Sequence, residues 1–211
     1  MFHVKLEPRE DALPADRVQG LRKFESLLES RAVPLGLIAR NDSGRTWTRH
    51  IEDSLRARAC LLPRDHTVVD LGSGAGLPGL PLAIAEPARR FVLVEPWKRR
   101  AAFLEWAIAE LGLTNAHVEA IAAEQFRTSV PLCTARALAP MEACWRLASP
   151  VLEQGGRLLY FAGAGWKPPD QQTWHRSGAD WEICTAGRFS WEGPLVIIRR
   201  SAMLEGGCHG T

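Results

Sequence analysis

Residues 68–79 read VVDLGSGAGLPG: two β-branched residues, an acid, and then a loop with glycine at every second position from Gly72 to Gly76. Val68 and Val69 suit the end of a buried parallel strand. Gly72, Gly74 and Gly76 permit left-handed backbone and close approach of a ligand where a Cβ would collide. The next helix is predicted to open at Leu77 or Pro78, since proline suits a first helical turn. Strand, glycine turn and helix in this order imply an α/β fold with a nucleoside cofactor at the turn.

The details of the loop separate two cofactor classes. A dinucleotide fold uses G-x-G-x-x-G, with the helix N-terminus facing a pyrophosphate; here the spacing is G-x-G-x-G. Asp70 lies two residues before the first glycine, where a carboxylate repels a pyrophosphate and attracts a cationic amino-acid group. S-adenosylmethionine carries such a group. Glu95 closes the next apolar run, Phe91–Val94, and an acid at that strand tip can accept hydrogen bonds from both ribose hydroxyls. The alternative is a tight turn with a solvated Asp70.

Periodicity predicts strands at Thr67–Leu71, Phe91–Glu95, His117–Ile121, Leu132–Ala137, Arg157–Ala162, Trp181–Thr185 and Leu195–Arg199. Helices are predicted at Pro78–Glu86, Lys98–Leu111, Met141–Leu152 and Pro169–Arg176, with Arg49–Leu62 feeding the first strand and ending at Pro63. In Lys98–Leu111, the stripe Leu104, Ala107, Ile108 and Leu111 faces inward, and Gly112 stops the helix. This alternation implies a Rossmann-like, seven-stranded, mostly parallel sheet covered by helices on both faces. Residues 1–45 are read as an N-terminal helical extension, with Leu21, Phe24, Leu27 and Leu28 on one face, and 46–211 as the catalytic domain.

A chain of 211 residues buries roughly 70% of its unfolded surface without staples. Cys60, Cys133, Cys144, Cys184 and Cys208 are odd in number and contain no C-x-x-C pair, so reduced thiols are expected rather than a disulfide framework or a metal site. The start MFHVKLEPRE lacks a signal pattern, and no apolar run approaches a membrane span; a cytoplasmic protein without membrane association is expected. Net charge +2 and pI near 8.4 are too mild to diagnose a nucleic-acid binder. Local clusters say more: Arg89, Arg90, Lys98, Arg99 and Arg100 surround Glu95, and Arg45, Arg49, Arg56 and Arg58 surround His50. Each is either a phosphate-binding patch or a solvated helix face. Trp97 and Trp106 are expected to pack in the core or at its rim, with an aromatic platform for RNA bases as the alternative.

From Arg49 to Gly163 the chain resembles the RsmG (GidB) family of class I S-adenosylmethionine-dependent methyltransferases. The resemblance is carried by RHIEDSL (49–55), DLGSGAGLPGLPLAI (70–84), LVE with KRRAAFLE (93–105) and TARALAP (134–140). It implies N7 methylation of a guanosine in 16S ribosomal RNA, with that RNA or the small subunit as partner and a monomeric enzyme. Carried over by residue, Gly72, Gly74 and Leu77 line the methionine and adenosine path, Glu95 accepts the ribose, and Ala123 and Glu124 lie on the adenine side. Arg136 stands where methyl donor and base meet, and Arg49 and His50 face the RNA together with Lys98 and Arg99. The chain departs from the family at Ala162, where a lysine is common, at Ala122, where an arginine is frequent, and in EPWKRR, which inserts Trp97 beyond Glu95.

Guanine N7 carries no proton and can attack a sulfonium methyl without a general base, so the absence of an N-P-P-Y motif makes chemical sense. Alignment alone can supply roughly 7–11 kcal/mol. Arg136 is assigned as the catalytic orienting donor toward guanine O6 or a phosphate; a salt bridge to Glu95 or Asp70 is the alternative. His50 either stacks on RNA or caps a helix, and Asp53, one turn from Arg49, is expected to pair with it. Cys133 shares a strand with Arg136, and burial rather than nucleophilic attack is its expected fate. A related methyltransferase with another substrate, and a ribosome-associated binding module without turnover, are the competing functions.

Overall fold

In a computed structural model, which describes residues 13–184 and 193–201, seven strands form one sheet in the order β3-β2-β1-β4-β5-β7-β6. The strands are β1 (Thr67–Leu71), β2 (Arg90–Val94), β3 (Ala116–Glu119), β4 (Val130–Arg136), β5 (Leu152–Phe161), β6 (Ala179–Cys184) and β7 (Leu195–Arg200). The first five run parallel, and β7 lies antiparallel between β5 and β6. Every residue of β1 is buried, as its unbroken apolar run requires of a central parallel strand. From β1 the chain winds outward to β2 and β3, then returns to β4 on the other side. That reversal is a topological switch point, and it opens a crevice beyond the carboxyl ends of β1 and β4.

The helices are α1 (Ala15–Leu27), α2 (Asp53–Leu55), α3 (Gly79–Ala85), α4 (Lys98–Leu111), α5 (Met141–Ala148) and α6 (Gln171–Arg176). α4 buries Ala101, Phe103, Leu104 and Ala107, and Gly112 closes it at φ 64°, a conformation that glycine adopts without a Cβ clash. Thr185, the predicted end of the sixth strand, lies outside the described residues, as does Cys208.

Residues 13–45 pack into a core cluster shared with α3 and α4. Leu21, Phe24, Leu28, Ala32 and Ile38 belong to one buried cluster with Ile84 of α3 and Phe103, Leu104 and Ala107 of α4. The glycine loop enters the same cluster through Ala75.

Three expectations are corrected by the structure. The helix predicted at Arg49–Leu62 begins earlier and is irregular: Trp47–Glu52 winds as π-helix, α2 is one turn, and Arg56–Cys60 tightens to 3₁₀. Its cause is the pull on the carbonyls of Arg49 and His50 described below. Cys60 and Cys184 are joined in a disulfide across a separation of 124 residues, against the expectation of free thiols. Both belong to one apolar cluster with Val68, Leu132, Leu159 and Leu195, a proximity created by the sheet order rather than by sequence. Cys133 and Cys144 are free and buried. Trp97 was expected to pack, yet it is 68% exposed, because α4 begins immediately after it and carries it past the end of the sheet.

Candidate active site

The glycine loop is built from beneath by two buried carboxylates. Asp70, 1% exposed, accepts from Thr134 Oγ1 of β4 (2.7 Å) and from the Gly79 N–H that opens α3 (3.3 Å). Strand, neighbouring strand and helix N-terminus are thus joined at one group. Burial pushes its pKa up to about 6, against the opposing pull of the Thr134 hydrogen bond. Gly79 must be glycine: a Cβ there would lie 2.3 Å from Leu93 Cδ2 and 2.9 Å from Asp70 Oδ2. Asp70 is thus engaged in holding the loop, and it is absent from the residues that line the neighbouring cleft.

Glu95, also 1% exposed, turns back toward the loop. Its Oε2 accepts from the Gly74 N–H (2.9 Å) and its Oε1 from the Trp97 N–H (3.1 Å). The backbone N–H groups of Gly72 and Ser73 donate to Val94 O (2.8 and 3.1 Å), tying the loop to β2. Gly74 has φ 57°, and a Cβ there would meet nothing nearer than Gly72 O at 3.9 Å. It would project into open space that the loop leaves free for a ligand.

Across the crevice, Arg136 at the tip of β4 is engaged by the 47–55 helix. Its Nη1 donates to His50 O (3.3 Å) and Ser54 Oγ (3.2 Å), and its Nη2 to Arg49 O (3.0 Å) and His50 Nδ1 (3.0 Å). Asp53 Oδ2 lies 3.1 Å from Nη2. A guanidinium has only donors, so His50 Nδ1 must offer a lone pair and the ring proton sits on Nε2. That nitrogen lies 3.1 Å from Asp42 Oδ2, to which it donates. His50 is therefore neutral, in agreement with its pKa, which burial and the neighbouring Arg136 charge hold below 6.5. Arg136 forms its salt bridge with Asp53, a partner other than the Glu95 or Asp70 expected as the alternative. Asp53 pairs with Arg136 and Arg56, while Arg49 pairs with Asp42 (2.9 Å), correcting the expected Arg49–Asp53 pair. The next residue, Ala137, is held at φ 52°, a strained backbone of the kind found beside functional groups.

Between these walls lies a cleft of about 300 Å³. Gly72, Gly74, Leu77, Arg136 and His50 line it, joined by Ser73, Ala75, Arg100 and Ala137. Leu37, Ile38, Ala39 and Asp42 complete the lining from the N-terminal extension, a contribution that no periodicity in 33–43 announces. Ala123 and Glu124 form a turn beyond β3 outside this lining, the first buried and the second exposed. Lys98 and Arg99 are exposed on the first turn of α4. A larger cleft of about 670 Å³ lies between α6 and the β6–β7 edge. It shares no lining residue with the glycine loop and sets Arg176 and Arg199 against Asp180 and Glu182, so the smaller cleft is the chemically organised one. Cys133 is fully buried, its thiol pushed well above its ordinary value by burial and by the Asp70 carboxylate, which leaves no reactive thiolate there.

A parallel sheet with an antiparallel seventh strand and a glycine-loop cleft at its switch point is the Rossmann-like fold of class I S-adenosylmethionine-dependent methyltransferases. A solved structure of MtNAS in complex with MTA and tNA has this fold, with a TM-score of 0.62 at 17% identity over 88% of this chain and 71% of its own. Sequence narrows the class. The chain belongs to the family described as rRNA small subunit methyltransferase G (GidB), whose sequence model matches residues 17–176. It is 43% identical to a ribosomal RNA small subunit methyltransferase G of Leifsonia xyli subsp. xyli over 205 residues, 96% of this chain and 93% of the relative. A relative of the same name from Clavibacter sepedonicus is 42% identical over 164 residues, 76% of this chain and 77% of its own.

Proposed function

We propose that this chain is an S-adenosylmethionine-dependent methyltransferase that forms N7-methylguanosine in 16S ribosomal RNA. The observation that carries the reading is the cleft itself: a glycine backbone open at Gly74, a buried Glu95 behind it, and the Arg49–Ser54 helix fastened opposite by Arg136. The residues fit the cofactor. The loop from Gly72 to Leu77 takes the methionine and nucleoside backbone, and Glu95, which retains acceptor capacity beyond its two N–H donors, takes the ribose hydroxyls. When bound, the cofactor supplies an electrophilic methyl group.

The chain's own residues then have a positioning task. Guanine N7 has no proton to surrender, so neutral His50, already committed at both ring nitrogens, need not act as a base. Arg136 is a positioning residue rather than a catalytic one: its donors hold the helix that forms the RNA-facing wall. Arg49, Lys98 and Arg99 flank the mouth as phosphate partners, and Ala123 and Glu124 border the adenine side. We place the reaction in the cytoplasm, carried out by a monomer. No helix among the described residues is long and apolar enough to cross a membrane.

The test is a mapped product. Purified protein, labelled S-adenosylmethionine and small-subunit RNA or subunits should yield a methyl mark at guanine N7, and label on small molecules alone would transfer the reading to another substrate. Glu95→Ala should weaken binding of the demethylated cofactor by about tenfold or more in calorimetry, since hydrogen bonds to a charged acceptor are worth roughly 1.5–3 kcal/mol.

A further inference from the structure

After β2 the chain leaves the sheet as Pro96-Trp97-Lys98-Arg99-Arg100, consecutive residues that are all exposed. Trp97 is 68% exposed, whereas the six other tryptophans among the described residues are buried or half-buried. An indole left in water forfeits a large apolar contact area, yet this one is not on a loose segment. The Trp97 backbone N–H donates to Glu95 Oε1 (3.1 Å), and the Trp97 backbone carbonyl accepts the N–H groups of Arg100 (2.8 Å) and Ala101 (2.9 Å) at the start of α4. The other oxygen of Glu95 holds Gly74, so the Trp97 backbone is fixed in place relative to the cofactor loop.

The charges beside it are as unusual. Lys98, Arg99 and Arg100 fill the first turn of α4, with no acid there, although cations at a helix N-terminus oppose its dipole. Among the described residues, Lys98 and Arg99 have no ion-pair partner, and Arg100 reaches Glu95 only at 4.0 Å while lining the cleft. An exposed indole on an anchored backbone, followed directly in the chain by cations without ion-pair partners among the described residues, matches an unpaired nucleobase joined to its phosphates: the base stacks on the ring and the phosphates meet the cations. An apolar peptide would have no use for the cations.

We propose that Trp97 with Lys98 and Arg99 is a stacking subsite for an unpaired RNA base flanking the nucleotide that enters the cleft. The inference rests on the RNA-methyltransferase reading above. Trp97 is a substrate-binding residue that holds the splayed strand at the mouth while the neighbouring base enters.

The experiment uses the full chain with Trp97→Ala, Trp97→Phe, Lys98→Ala and Arg99→Ala. Affinity for small-subunit RNA is measured across salt concentrations, with methyl-transfer kinetics, calorimetry with S-adenosylhomocysteine, and thermal denaturation alongside. Trp97→Ala should weaken RNA binding about tenfold and raise KM for RNA, with Trp97→Phe retaining most of the affinity. Cofactor affinity and Tm should be unchanged, and each lysine or arginine variant should lower the salt slope by about one. The inference is overturned if Trp97→Ala leaves RNA affinity intact, or if it weakens S-adenosylhomocysteine as much as RNA, which would make the indole a shelf for the cofactor's adenine. Should the wild-type protein place no methyl on any small-subunit RNA, the underlying reading fails as well; methylation by wild type with an indistinguishable Trp97→Ala variant sinks this inference alone.

Discussion

Asp70 makes the stability of the fold depend on pH. Its pKa rises from 3.8 to about 6 on folding, so between those values the native state binds the extra proton and stability falls as pH rises. The penalty is complete above the folded pKa and absent below the unfolded one, and at about 1.36 kcal/mol per unit it amounts to roughly 3 kcal/mol. Asp70→Asn removes the titration while leaving an acceptor for Thr134. The Tm of wild type relative to this variant should therefore fall by roughly 3–6 °C between pH 5 and 7.5; a constant difference in parallel thermal melts would refute the buried-acid assignment. Asp42 permits a second prediction, since its carboxylate fixes the tautomer that lets His50 accept from Arg136. Protonating Nδ1 would turn a donor toward a donor, so methyl transfer should decline on the acid side, below the range in which an ordinary histidine titrates, because burial and the Arg136 charge depress the pKa of His50. Asp42→Asn removes the charge that favours imidazolium, and the acid limb of the pH–rate profile should move to lower pH. An unmoved limb would detach His50 from the rate. Sequence announced Asp70, Glu95, Arg136 and His50 as important because strand tips and motifs mark them. It did not reveal that Thr134 and Gly79 claim Asp70, or that Asp53 turns to Arg136, because these choices depend on which strand lies beside which.

Elements behaved according to the strength of their pattern. α4 occupies Lys98–Leu111 as expected, because its stripe and terminal glycine agree. The segment before β1 did not hold a regular helix: Arg136 draws the carbonyls of Arg49 and His50, and Ser54 Oγ donates to His50 O at 2.6 Å. Competition of this kind from outside the segment leaves no trace in its own periodicity, and π-helical turns of this sort recur at functional sites. α1 shows the opposite case, a legible helix whose importance was understated. Phe24 is 0% exposed within the cluster that reaches Ala75 of the glycine loop. Phe24→Ala should cost about 3–5 kcal/mol and lower Tm by about 10 °C, and loosening of the loop should reduce cofactor affinity as well. If Tm falls while calorimetry finds cofactor affinity intact, the extension supports the core without shaping the cleft.

At the scale of the whole molecule, the sheet order decides what meets what. Alternating strands and helices made the parallel core and the Asp70–Glu95 end readable, since a right-handed crossover architecture leaves few other arrangements. The antiparallel placement of β7 between β5 and β6 was not readable from composition, and with it came the meeting of Cys60 and Cys184. Both sulfurs lie in an apolar cluster spanning the helical segment before β1 and the β5–β7–β6 side of the sheet. A link across 124 residues restricts the unfolded chain strongly, and by the chain-entropy argument it stabilises by about 2–5 kcal/mol. Oxidised wild-type protein should therefore melt roughly 5–15 °C above Cys60→Ser. Adding a reductant should bring wild type down to the variant and leave the variant unmoved. Because no residue of this cluster lines the cleft, S-adenosylhomocysteine affinity measured at 25 °C should be the same in both redox states. A wild-type Tm indifferent to reductant, together with all five cysteines of the chain titrating as free thiols under denaturing conditions, would restore the expectation that Cys60 and Cys184 stay reduced and leave the apolar cluster alone to hold the two segments together.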